Sequence, residues 1–159
     1  MAVNQHVITH GRSAVVPFDL DFNFECEIRD SPQAVLNAVR EHTLVSLVFN
    51  CHGKPASVEI GSGIGDHNVH LFKQLRNVTK EIWFAACNVA AKPDGKKFCQ
   101  TVADHANAYV IAGTELQKQT GTTPKGHIRE MNKPVFMFFP NSTREPEEYN
   151  WTQPEPPPG

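Results

Sequence analysis

The chain has 159 residues, 40% hydrophobic and 20% charged, the length and balance of one globular domain with a sizeable core. Its formal net charge of −2 supplies no cationic field, which argues against nucleic acid as a partner. No apolar run approaches the roughly 20 residues that span a bilayer, so no membrane partner is expected.

Residues 1–29 read as an irregular or strand-containing lead-in. Met1 to His10 lacks the basic-then-apolar layout of a signal peptide, so a cytoplasmic location, or export without such a signal, is expected. Ala14-Val15-Val16 is a short apolar run, and Phe18 to Ile28 alternates apolar and polar residues, the pattern of an exposed strand. Asp30-Ser31-Pro32 places a capping side chain ahead of a first-turn proline, which predicts a helix. Ala34, Val35, Ala38 and Val39 form its apolar stripe, and it ends near Thr43. Leu44 to Phe49 is nearly continuously apolar, as in a strand buried on both faces, and it leads into Asn50-Cys51-His52-Gly53.

Lys54-Pro55 predicts a turn, and Ala56 to Ile60 a small hairpin strand. Gly61-Ser62-Gly63-Ile64-Gly65 has neither a following Gly-Lys-Ser/Thr nor dinucleotide spacing, so it reads as a loop without a nucleotide. Asp66 to Asn77 reads as a second helix with Val69, Phe72 and Leu75 inward. Asp66, His67 and His70 are close, but no thiol or further ligand completes a metal set; a solvated face is expected, with no metal and no cofactor. Glu81 to Cys87 is a second buried strand. A third helix begins at Asp94-Gly95 and turns Phe98, Cys99, Val102, Ala103 and Ala106 inward.

Ala108 to Ala112 reads as a third core strand ending at Gly113-Thr114. The polar stretch from Glu115 to Lys133 is long for a connection, which predicts a functional loop. Pro134 to Phe139 is a last strand. The expected organisation is a single domain over 1–140 and a Pro/Glu-rich tail over 141–159 that is partly disordered from Pro154 onward. Strands alternating with helices at this spacing predict a layered α/β sandwich.

Two strand ends carry the chemistry. One delivers the His52 imidazole and the other the Cys87 thiol, 35 positions later. In open α/β sheets ligands bind at the carboxyl edge. A thiol attacks as thiolate and needs a base, and imidazole titrates near neutrality. Cys87 is therefore the candidate nucleophile and His52 the candidate acid/base. The backbone N–H groups of Gly53 and Cys87 are the candidate oxyanion hole. Cys51 points away from its neighbour His52 in an extended strand and reads as core; Cys26 and Cys99 read as free thiols, with Cys99 facing the core from its helix. No cysteine belongs to a CxxC pair, so free thiols in a reducing compartment are expected.

An apolar strand ending in His-Gly, followed by one ending in Ala-Cys, resembles the caspase–gingipain–clostripain group of cysteine peptidases and their bacterial relatives with CHAT domains. The segments Cys51-His52-Gly53, Glu59-Ile60-Gly61, Ala86-Cys87-Asn88-Val89-Ala90, Gly95-Lys96-Lys97-Phe98 and Val110-Ile111-Ala112-Gly113-Thr114 resemble more closely an uncharacterised bacterial domain of large surface and repeat proteins. The resemblance covers about residues 44–117. It implies a caspase-like three-layer sandwich, with a mostly parallel central sheet flanked by helices. It also implies a His52–Cys87 dyad acting on a polypeptide substrate, in a soluble bacterial effector or self-processing domain, with a specificity pocket for which Asn88, Thr114 and Glu115 are candidate substrate contacts and Lys118, Lys125 and Arg129 leave the sign open. Cys51 stands where a small residue is usual, and Ala86 where glycine is frequent. The competing expectation is a catalytically silent module of the same fold that binds a regulatory protein partner through the 115–133 loop.

Overall fold

The computed structural model describes residues 4–10, 22–27, 29–116 and 134–149, the first two segments and residues 45 and 50 by backbone alone. The chain opens with strands β1 (Asn4–His10) and β2 (Phe22–Glu27), then helix α1 (Pro32–Val39) and strand β3 (Leu44–Asn50). A two-strand hairpin, β4 (Gly53–Lys54) and β5 (Ser57–Val58), precedes a 3-10 helix at Val69–Leu75. Strand β6 (Thr79–Ala85), helix α2 (Lys92–Ala106) and strands β7 (Tyr109–Gly113), β8 (Val135–Phe138) and β9 (Glu147–Glu148) complete it.

One seven-stranded mixed sheet runs β2-β1-β3-β6-β7-β8-β9. Its centre, β3, β6 and β7, is parallel, and both margins are antiparallel. The apolar runs around Val48 and Phe84 thus form the buried parallel centre that continuous hydrophobicity implies. Within the expected strand over 18–28 the described part is β2, Phe22–Glu27, while the polar β1 lies inserted between β2 and β3. The run at 14–16 lies outside the described residues.

Helix α1 starts as expected. The Ser31 hydroxyl accepts the Ala34 N–H at 3.1 Å, and Pro32 occupies the first turn. It stops at Val39 rather than near Thr43, because the chain must turn for Leu44 N–H to reach Val78 O, at 2.6 Å. Its buried residues are Val35, Leu36 and Val39, whereas Ala34 is exposed. The expected helix over 66–77 is a shorter 3-10 helix. Val69, Phe72 and Leu75 recur at a strict interval of three, the 3-10 period; Phe72 and Leu75 are fully buried. Helix α2 begins two residues before Asp94 and buries Phe98, Cys99, Val102, Ala103 and Ala106, as expected.

The helices pack on one another and on one face of the sheet. There Phe49, Phe72, Phe84 and Phe98 meet with ring centroids 5.9–6.4 Å apart. The opposite face carries a second cluster of Val48, Trp83, Ala85, Ile111 and Val135, against which Met137 and Tyr149 pack. Among the described residues no helix covers that face, so they show a mixed sheet with helices on one side. The start of the tail is ordered into the sheet: β9 pairs with β8, and Tyr149 packs edge-on against Trp83 at 5.6 Å. Residues 150–159, including the expected disordered end, lie outside the described residues.

Candidate active site

Strand register sets the geometry of the carboxyl edge. Asn50 pairs with Ala85, and Phe84 with Ala112, so β3, β6 and β7 end at one level. His52 and Cys87 each stand two positions beyond the Asn50–Ala85 pair. The His52 side chain is exposed and Cys87 is half-buried.

The two turns are in contact through Gly53. A Cβ built on Gly53 would lie 2.8 Å from Val89 Cγ2 and 2.9 Å from both Ala86 Cβ and Cys87 O. The absence of a side chain at 53 is what lets the His52 turn close onto the Cys87 turn. The hairpin places the Gly53 amide as well. Glu59 N–H donates to His52 O at 2.9 Å, and Val58 exchanges both of its backbone bonds with Ile64. Gly53 and Val58 are therefore a non-hydrogen-bonded pair, and the hairpin ladder does not consume the Gly53 N–H.

Backbone bonds also hold the Cys87 turn against β7. Asn88 N–H donates to Glu115 O and Ala90 N–H to Gly113 O, each at 3.0 Å. Asn88 has φ 58°, a left-handed conformation that asparagine tolerates better than most residues. Asn88 and Glu115 are thus brought together by main chain, with Thr114 between them and β8, its N–H donating to Pro134 O at 3.3 Å. Glu115 and Leu116 are exposed. Most of the 115–133 loop, including Lys118, Lys125 and Arg129, lies outside the described residues.

The other cysteines differ in setting. Cys51 is half-buried and packs against the helix-side core. Cys99 is fully buried, and burial pushes its thiol well above the ordinary range. The Cys26 side chain lies outside the described residues. The glycine loop at 61–65 is committed to structure. Ser62 N–H donates to Asp30 O at 2.7 Å and Gly63 N–H to Ile60 O at 3.1 Å, so these amides are spent on carbonyls. Among the described residues no group of three or more His, Cys, Asp or Glu could hold a metal, and no described helix is long and apolar enough to cross a membrane.

Val89, Gly95 and Ala56 also shape this edge. Val89 O accepts the Ala56 N–H at 3.3 Å, which ties the hairpin to the Cys87 turn. These are backbone roles, which side-chain chemistry does not signal. No protein-family model, curated protein or solved structure matches the chain.

Proposed function

We propose that the chain is a cysteine endopeptidase of caspase-like architecture, with Cys87 as nucleophile and His52 as acid/base. The single observation that supports this most is the seating of the His52-Gly53 turn on the Ala86-Cys87 turn, at the shared carboxyl edge of two parallel strands.

The reaction follows from the groups. The Cys87 Sγ proton passes to the His52 imidazole, and the thiolate attacks the scissile carbonyl carbon. The carbonyl electron pair moves onto oxygen, where the N–H groups of Gly53 and Cys87 stabilise the oxyanion. The tetrahedral intermediate collapses and the C–N bond breaks. Imidazolium gives its proton to the departing amine, leaving a thioester on Cys87. Water, deprotonated by His52, hydrolyses the thioester and restores the thiol. Asn88, Thr114 and Glu115 border this edge and are assigned to substrate contact. The substrate is a polypeptide; no metal or cofactor enters.

The test is a peptide-library digestion by the full chain, beside Cys87→Ala and His52→Ala. Cleavage is expected in the parent and a loss of about a thousandfold or more in each variant. Cleavage that survives either substitution unchanged sinks the assignment.

A further inference from the structure

Gly95 lies in the first turn of α2, where the mechanism above gives it no task. Glycine in a helix costs about 1 kcal/mol relative to alanine, so a specific reason for it is expected. The reason is contact. A Cβ at Gly95 would sit well inside 3.0 Å of Val89 O, at 2.8 Å from Ala90 C and at 3.2 Å from Ala90 Cα. These are backbone atoms, which no rotamer change can move aside.

The Val89 carbonyl is a shared node. It abuts Gly95 on one side, and on the other accepts the N–H of Ala56, which lies in the turn of the hairpin that carries Gly53 directly after His52. The next amide along, Ala90 N–H, is bonded to Gly113 O, and Gly95 N–H closes the start of the helix on Ala91 O at 3.1 Å. Helix, thiol turn and hairpin therefore meet at one peptide group. Displacing Val89 O loosens the Ala56 bond, and with it the seating of Gly53 against Cys87 O.

We propose that Gly95 is a positioning residue for the Cys87–His52 pair: it lets α2 seat against the Val89 carbonyl, which fixes the hairpin beside the thiol turn. The proposal rests on the dyad assigned above. It predicts that the pair is sensitive to the helix seat although Gly95 touches no reacting atom.

The test uses the full-length chain and reads the pH profile of Cys87 alkylation by iodoacetamide, resolved by mass spectrometry, with Cys51 as internal reference. Two variants perturb the node from opposite sides. Gly95→Ala adds the clashing methyl, and replacement of Ala56 by lactic acid deletes its N–H while keeping its side chain. Both are expected to slow Cys87 alkylation about ten- to a hundredfold and to change its pH profile, with Cys51 unchanged. A purely structural role lowers the melting temperature without moving the Cys87 profile. If Gly95→Ala does not fold, the lactic acid variant decides alone. His52→Ala separates the two claims. A parent Cys87 profile indifferent to His52→Ala overturns the dyad, and the positioning role with it. A profile that responds to His52→Ala but to neither node variant overturns the positioning role alone.

Discussion

Gly53 and Asn88 show two distinct ways in which a single residue fixes the candidate site. At Gly53 the constraint is space, since an added Cβ meets three atoms within 2.9 Å. Gly53→Ala forces the hairpin and the thiol turn apart and is expected to cost about 1–3 kcal/mol, the usual range for overpacking. Thermal melting checks this, and alkylation of Cys87 should slow with the same change. At Asn88 the constraint is the backbone, at φ 58°. Asn88→Gly is expected to preserve stability within about 0.5 kcal/mol, whereas Asn88→Val should lose about 2 kcal/mol, because a β-branched side chain resists that conformation. Urea unfolding of the two variants separates this reading from a role for the amide side chain, which would make both equally damaging.

The elements that present the site depend on the aromatic cluster behind them. Phe84 lies on β6 three positions before Cys87 and packs against Phe49, Phe72 and Phe98. Phe84→Ala is expected to lose about 3–5 kcal/mol, measured by denaturant midpoint. Ser31→Ala, which removes only the α1 cap, should lose about 1 kcal/mol. The same elements explain what could be read from the sequence. Val48 and Phe84 sit in runs too apolar for a half-exposed strand, so the parallel centre was legible, and with it the edge bearing His52 and Cys87. The stripe from Phe98 to Ala106 made α2 legible in the same way. The 3-10 helix is not legible in the sequence because Val69, Phe72 and Leu75 satisfy the inward pattern of an α-helix, although their constant interval of three belongs to the tighter one. Strand β9 was illegible. Glu147 and Glu148 are poor strand formers, and they pair only because β8 offers an edge and Tyr149 finds Trp83. The Gly53 contacts and the Ala56–Val89 bond join segments remote in sequence, and Gly95 meets its near neighbours Val89 and Ala90 through their backbone, so no side-chain pattern announces them.

Across the whole molecule, the two sheet faces are stabilised differently, and the contrast gives a pH dependence. The helix side is apolar. The opposite side carries a carboxylate: Glu81 accepts hydrogen bonds from the Ser46 hydroxyl and, at 3.1 Å, from Trp83 Nε1. Tyr149 reaches this face from the β9 edge. Burial pushes its hydroxyl above the ordinary phenol range, and the Glu81 charge pushes it further. The folded protein therefore keeps the Tyr149 proton at a pH where the unfolded chain has released it. The unfolded state binds fewer protons there, so stability falls as pH rises. The contribution is intact below the unfolded value near 10 and declines above it until the folded hydroxyl also ionises. Tyr149→Phe should flatten this alkaline decline, and Glu81→Gln should shift the folded value back down and narrow the window. The measurement is urea unfolding between about pH 8 and 11, followed by Trp83 fluorescence in a Trp151→Phe background. A decline of unchanged slope in Tyr149→Phe would place the alkaline sensitivity elsewhere, first of all at Cys99, whose thiol burial also raises.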